Sequence, residues 1–123
     1  MPVFSRLRDD VLVLTVDGDY TPNELRRVTF GAFESDDTPS SVPVLLDMSG
    51  AAGLADKGPE DLKASGAIFA AFRDRILGIG VVASADLHDL FSAEGDFGSE
   101  AGVPVQACPS HADARAWLGR VAG

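Results

Sequence analysis

The sequence predicts an α/β domain: a mixed, mainly parallel five-stranded sheet with an N-terminal hairpin and about four helices. Two observations carry this reading. Short apolar runs alternate with segments of helical period, which calls for parallel strands joined by right-handed crossovers. Ahead of them, two extended runs are separated by only two residues, Asp9 and Asp10, which is the spacing of a tight hairpin. The chain has 123 residues, 46% hydrophobic and 24% charged, as expected of a single folded domain spanning residues 1–123.

The elements follow in order. "PVFSRLR" alternates apolar and polar positions and carries Arg6 and Arg8, as an edge strand does. "VLVLTV" is apolar at nearly every position, which predicts cover on both faces. Gly18 permits a sharp turn. Thr21, Pro22 and Glu24 then form a helix start: a hydroxyl N-cap, proline in the first turn and glutamate three residues after the cap. Leu25, Val28, Ala32 and Phe33 give that helix its apolar side. "ESDDTPSS" is a surface connection.

"VPVLLDM" reads as the second buried strand and "PEDLKASGAIFAAFRDR" as the helix after it. Its apolar stripe is Leu62, Phe69, Phe72 and Ile76, with Arg73 and Arg75 at the C-terminal end. "ILGIGVVAS" is the next strand, its two glycines predicting a close-packed neighbour. A helix is expected over "ADLHDLFSAEG", with Leu87, Leu90 and Phe91 inward, and a loop over "GDFGSEAG". "VPVQAC" closes the sheet, with Pro104 arguing for an edge. The last helix starts at Ser110, with Asp113 completing a capping-box variant and Trp117 as its anchor.

Charge and composition narrow the function. The formal net charge is −9 and the pI about 4.4, so phosphate backbones and anionic membranes are repelled, and nucleic acid is not expected as a partner. Cys108 is the only cysteine, which excludes an internal disulfide and a multi-cysteine metal site. No apolar run has the length of a membrane span and "MPVFSRLRDD" lacks a signal-peptide core, so a cytoplasmic protein without an integral membrane segment is expected.

In open α/β sheets, functional groups collect at the carboxyl ends of parallel strands, which here begin loops at Asp17, Asp47, Ala83 and Cys108. Asp47 in "VLLDMSGAAGL" invites a phosphoacceptor reading like that of receiver domains. That chemistry needs paired acids after the first strand to hold Mg²⁺ and a lysine after the last. Asp9 and Asp10 precede their strand, and "QACPSHA" has no lysine; only Ser84 fits. A haloacid-type phosphatase needs a second acid where Ser49 stands, and no "GxSxG" elbow is present. "GDFGSEAG" precedes a strand, not a helix, so it is no phosphate loop. His88 and His111 fall within helical segments as solvent-facing positions. No metal-ligand spacing and no cofactor motif is evident. Asp47 can instead accept hydrogen bonds from its own loop in an Asx-turn that fixes the strand exit. The small-residue loop over the next helix start is then a place for another protein to dock.

"VLVLTVDGDYT", "VPVLLDMSG", "ILGIGVVAS" and "ADARAWL" together resemble the STAS domains, the anti-sigma-factor-antagonist fold, in their divergent bacterial single-domain form. In antagonists of that family a "D-[LM]-S" strand end leads to a "DSSG" loop whose first serine is phosphorylated by a partner kinase. The corresponding positions here are Ala55, Asp56, Lys57 and Gly58: the glycine is kept, both serines are gone, and Asp56 stands at the phosphoacceptor position. The resemblance implies a non-enzymatic regulatory module that binds a protein partner without the serine switch. Its interaction loop would comprise Asp47, Ser49, Gly50, Asp56, Lys57 and Gly58. A small-molecule or lipid-binding carrier of the same fold is the alternative, and a receiver-like phosphoacceptor a more remote one.

Overall fold

The computed structural model describes residues 3–51, 59–85, 88, 91–92 and 95–122. The chain folds as α/β, with a five-stranded mixed sheet in the order β1-β2-β3-β4-β5. The strands are β1 (Val3–Arg8), β2 (Val11–Gly18), β3 (Val42–Ala51), β4 (Ile76–Val82) and β5 (Val105–Cys108). The helices are α1 (Pro22–Glu34), α2 (Pro59–Ala70), α3 (Asp96–Ala101) and α4 (His111–Ala122). β1 pairs antiparallel with β2, and the remaining pairs are parallel. The hairpin turns at Asp9 and Asp10, both with positive φ (53° and 64°). This is the conformation a two-residue primed turn requires, and aspartate tolerates it better than most residues.

Because strand order follows chain order, successive right-handed crossovers put α1, α2 and α3 on one face of the sheet. That face holds the larger core, including Leu14, Leu46 and Ile79 from the strands and Leu25, Phe69 and Phe97 from the helices. Burial of each such side chain contributes about 1.5–3 kcal/mol. Among the described residues, the opposite face receives only the helix that follows β5. There Val13, Leu45, Val82 and Cys108 meet Ala114, Leu118 and Trp117 of α4. The glycines of β4 make this contact close: a Cβ at Gly80 would lie 3.2 Å from Ala114 Cβ, and one at Gly78 3.5 Å from the Trp117 ring.

Both capped helix starts form as the sequence predicts. Glu24 N–H donates to Thr21 Oγ1 (3.2 Å), and Asp113 N–H donates to Ser110 Oγ (3.2 Å). Three expectations are corrected. α2 ends at Ala70, and residues 71–75 form tight turns in which Phe72 and Arg75 donate back three residues. Ile76 therefore opens β4 and Arg75 leaves the helix for a tertiary role. Within 85–95 the described residues Ala85, His88 and Phe91 have 3₁₀ geometry, not α-helical; Leu87 and Leu90 lie outside the described residues. The regular helix, α3, falls instead in the segment expected to be a loop. Its glycines suggested a turn, but Phe97 is fully buried against Phe69 and Phe91, and that burial outweighs weak helix propensity. Gly102, with φ +75°, ends the helix in the left-handed conformation. Among the described residues, no helix is long and apolar enough to cross a membrane.

Candidate functional site at the carboxyl end of the third strand

β3 is longer than the apolar run "VPVLLDM" predicts. It continues through Ser49, Gly50 and Ala51, which stay in register with the end of β2. Ser49 and Gly50 are therefore strand residues, not loop residues, because β2 also runs on to offer them a partner. The pairing is uneven: Thr15 sits opposite Asp47, but Asp17 opposite Gly50. β3 thus carries one extra residue over Met48–Ser49, a bulge of the kind that re-aims side chains near sheet ends. Gly50 suits the narrow space, since a Cβ there would lie 3.1 Å from Asp17 Oδ1 and 3.4 Å from Val16 O.

Asp47 fixes the bulge. Its Oδ1 accepts from the Ser49 backbone N–H (2.9 Å) and from Ser49 Oγ (2.5 Å), which is the Asx-turn expected at this strand exit. Its Oδ2 accepts from His111 Nε2 at 2.6 Å. An ionised carboxylate has no proton to give, so the imidazole proton resides on Nε2. Burial raises the Asp47 pKa, but the hydrogen bonds from Ser49 and His111 outweigh it, and the carboxyl is held below its ordinary 3.8. The Asp47 side chain is 14% exposed and that of His111 48%, so the pair lies at the rim of the sheet, open to solvent on the helix side.

The linkage runs Ser49–Asp47–His111, with the carboxylate in the middle. A serine nucleophile needs the imidazole in that position, accepting the hydroxyl proton. Here the hydroxyl is given to a carboxylate of lowered basicity, and the imidazole Nε2 proton is spent on the same acid. As arranged, the cluster orients backbone and side chains and presents a polar surface. Among the described residues, no group of three or more acids, histidines or cysteines is placed to hold a metal ion.

Two histidines expected to face solvent have definite partners. His111, at the first turn of α4, is brought to Asp47 from sixty-four residues away. His88 Nε2 lies 2.8 Å from the carbonyl of Ala83, at the carboxyl end of β4. A third residue without a sequence signal is Tyr20, just past β2 and 1% exposed. Ser65 Oγ donates to the Asp61 carbonyl (2.9 Å), so Tyr20 Oη donates to Ser65 Oγ (3.3 Å) and ties the strand end to α2. Cys108 is buried, and that burial pushes its thiol pKa up. Of the residues assigned to an interaction loop, Asp47, Ser49 and Gly50 come together; Asp56, Lys57 and Gly58 lie outside the described residues.

No family model, curated protein or solved structure matches the chain.

Proposed function

We propose that this protein is a small regulatory module that docks a partner protein through the strand-end surface around Asp47, Ser49 and Gly50. The observation that carries the reading is the bulged tail of β3. Ser49 and Gly50 are exposed, and the Asp47 carboxylate pins the backbone that displays them. A surface ordered before contact loses less entropy on binding than a mobile one. The resemblance to STAS domains in "VPVLLDMSG" adds to it, and in that resemblance Asp56 stands at the position where antagonists carry a phosphorylated serine. A permanent carboxylate there has less charge than phosphoserine, so the module would hold one binding state instead of switching between two.

Site-specific photocrosslinking tests the reading. A photoreactive residue at Asp17, beside Gly50 in the sheet, should capture one defined protein in the native cell. The same residue at Arg26 on α1 should not. The captured protein, once purified, should bind the wild-type chain and bind the Asp56→Ala and Ser49→Ala variants with altered affinity. The same capture pattern from both positions, or affinity indifferent to both substitutions, would remove the reading.

A further inference from the structure

Among the described residues, the topology leaves part of one sheet face without a helix. Strands lie about 4.8 Å apart and a helix is about 10 Å across, so α4 alone covers only part of a five-stranded face. It packs mainly on β3, β4 and β5 and reaches β2 at Val13, and among the described residues no helix covers β1 on this face. The hairpin register decides which side chains line the opening. Phe4, Arg6 and Arg8 of β1 stand opposite Thr15, Val13 and Val11 of β2, and Thr15 lies beside Asp47, whose carboxylate meets α4. All therefore belong to the α4 face. The result is a groove of about 470 Å³ between the hairpin and α4, lined by Phe4, Arg6, Arg8, Val13, Thr15, His111 and Arg115. That volume lies in the range of small-ligand sites.

Its charge is opposite to that of the whole molecule. Three of the chain's ten Lys and Arg residues line it, in a protein of net charge −9. Among the described residues, Arg6, Arg8 and Arg115 have no hydrogen bond or ion pair; His111, the other basic residue of the lining, is held by Asp47. The hairpin acids Asp9 and Asp10 line an adjoining depression, which Arg115 also borders. Keeping three like charges in one groove is unfavourable without a counter-anion. Arg6 and Arg8, two residues apart on one strand face, are separated by about 6.8 Å, and Arg115 approaches from the opposite wall. Phe4, 51% exposed, offers apolar surface beside them, while Val13 at the floor is buried against α4.

We propose that this groove binds a small organic phosphate, a monoester whose apolar group rests on Phe4. Guanidinium forks pair with both carboxylate and phosphate. Three forks on two walls of one groove suit the three terminal oxygens of a phosphate monoester better than the two of a carboxylate. The groove meets the docking surface at His111, which Asp47 holds, but its three arginines lie outside that surface, so this proposal does not depend on the docking reading.

The test is an amide NMR titration of the full chain with phenyl phosphate, inorganic phosphate and benzoate, with sedimentation of the protein alone as a companion. Phenyl phosphate should bind saturably, shifting amides of β1, β2 and the first two turns of α4. Arg6→Gln and Arg115→Gln should each weaken it by about tenfold or more, while Arg26→Gln on α1 leaves it unchanged. Phe4→Ser should weaken phenyl phosphate and not inorganic phosphate. Circular dichroism of each variant establishes that the fold is kept. Absent or non-saturable shifts overturn the proposal, as do shifts equal in all variants. Benzoate binding as tight as phenyl phosphate overturns the choice of phosphate. Tighter binding of an oligoglutamate peptide, or a dimer closed through the groove in the unliganded protein, assigns the surface to a macromolecule instead.

Discussion

Asp47 accepts three hydrogen bonds, and the consequence is a stability that depends on acid pH. Its folded pKa lies below 3.8, so the carboxylate stabilises the fold above the unfolded value, and that contribution fades as pH falls through the folded one. The stability advantage of wild type over Asp47→Asn should be full near pH 5 and should shrink steadily below about pH 4; urea titrations at several pH values measure it. A gap that widens in acid would contradict the assignment. Arg75 is the second residue whose role is tertiary. Its guanidinium donates to the carbonyls of Phe33 (2.7 Å), Pro39 (3.0 Å) and Ser40 (3.4 Å), and it lies 5.0 Å from the Phe33 ring centroid. It thereby satisfies an end carbonyl of α1 and secures the connection to β3. Arg75→Ala should cost about 2 kcal/mol in chemical denaturation, and Arg75→Lys should recover less than half, because an ammonium cannot reproduce the fork.

At the scale of elements, the contact between α2 and α3 is the tightest and the least evident from composition. A Cβ on Gly66 would lie 2.2 Å from the Phe97 carbonyl oxygen and 3.1 Å from its carbon. Backbone cannot yield there without moving α3 off Phe69. Gly66→Ala should therefore destabilise by about 2 kcal/mol or more, whereas Gly31→Ala, in α1 with nothing within 4 Å, should stabilise by about 0.5–1 kcal/mol. Thermal melts of the two variants should shift in opposite directions. The sequence made α1 and α4 legible through their capping residues. It misplaced α3 because glycine signals a turn locally and a close helix contact only in three dimensions. The extension of β3 to Ala51 was hidden for a related reason: Ser49 and Gly50 have little strand preference of their own and take it from pairing with β2.

Over the whole molecule, stability should be graded from the centre of the sheet outward. β3 and β4 pair on both sides, and Leu45, Leu46, Ile79 and Val81 are fully buried. Among the described residues, β1 and β5 each have one unpaired edge, and the groove side of β1 is exposed. Native-state hydrogen exchange should find the slowest amides in β3 and β4, with openings close to the global unfolding free energy, and faster exchange in β1. Uniform protection across all five strands would instead indicate that the hairpin unfolds only with the core. The same asymmetry produces the groove, because one helix cannot cover five strands.

By itself the sequence determined the order of strands and helices, the hairpin at Asp9–Asp10, both capped helix starts and the Asx-turn at Asp47. Each is written in a window of a few residues, as a period of two or 3.6 or as a side chain reaching its own backbone. Only the tertiary structure decided what meets across that distance: His111 on Asp47 and Arg75 on the end of α1, with Arg6, Arg8 and Arg115 brought to one groove. Those encounters depend on strand register and crossover handedness, which set where whole elements lie and leave little trace in the residues that finally touch.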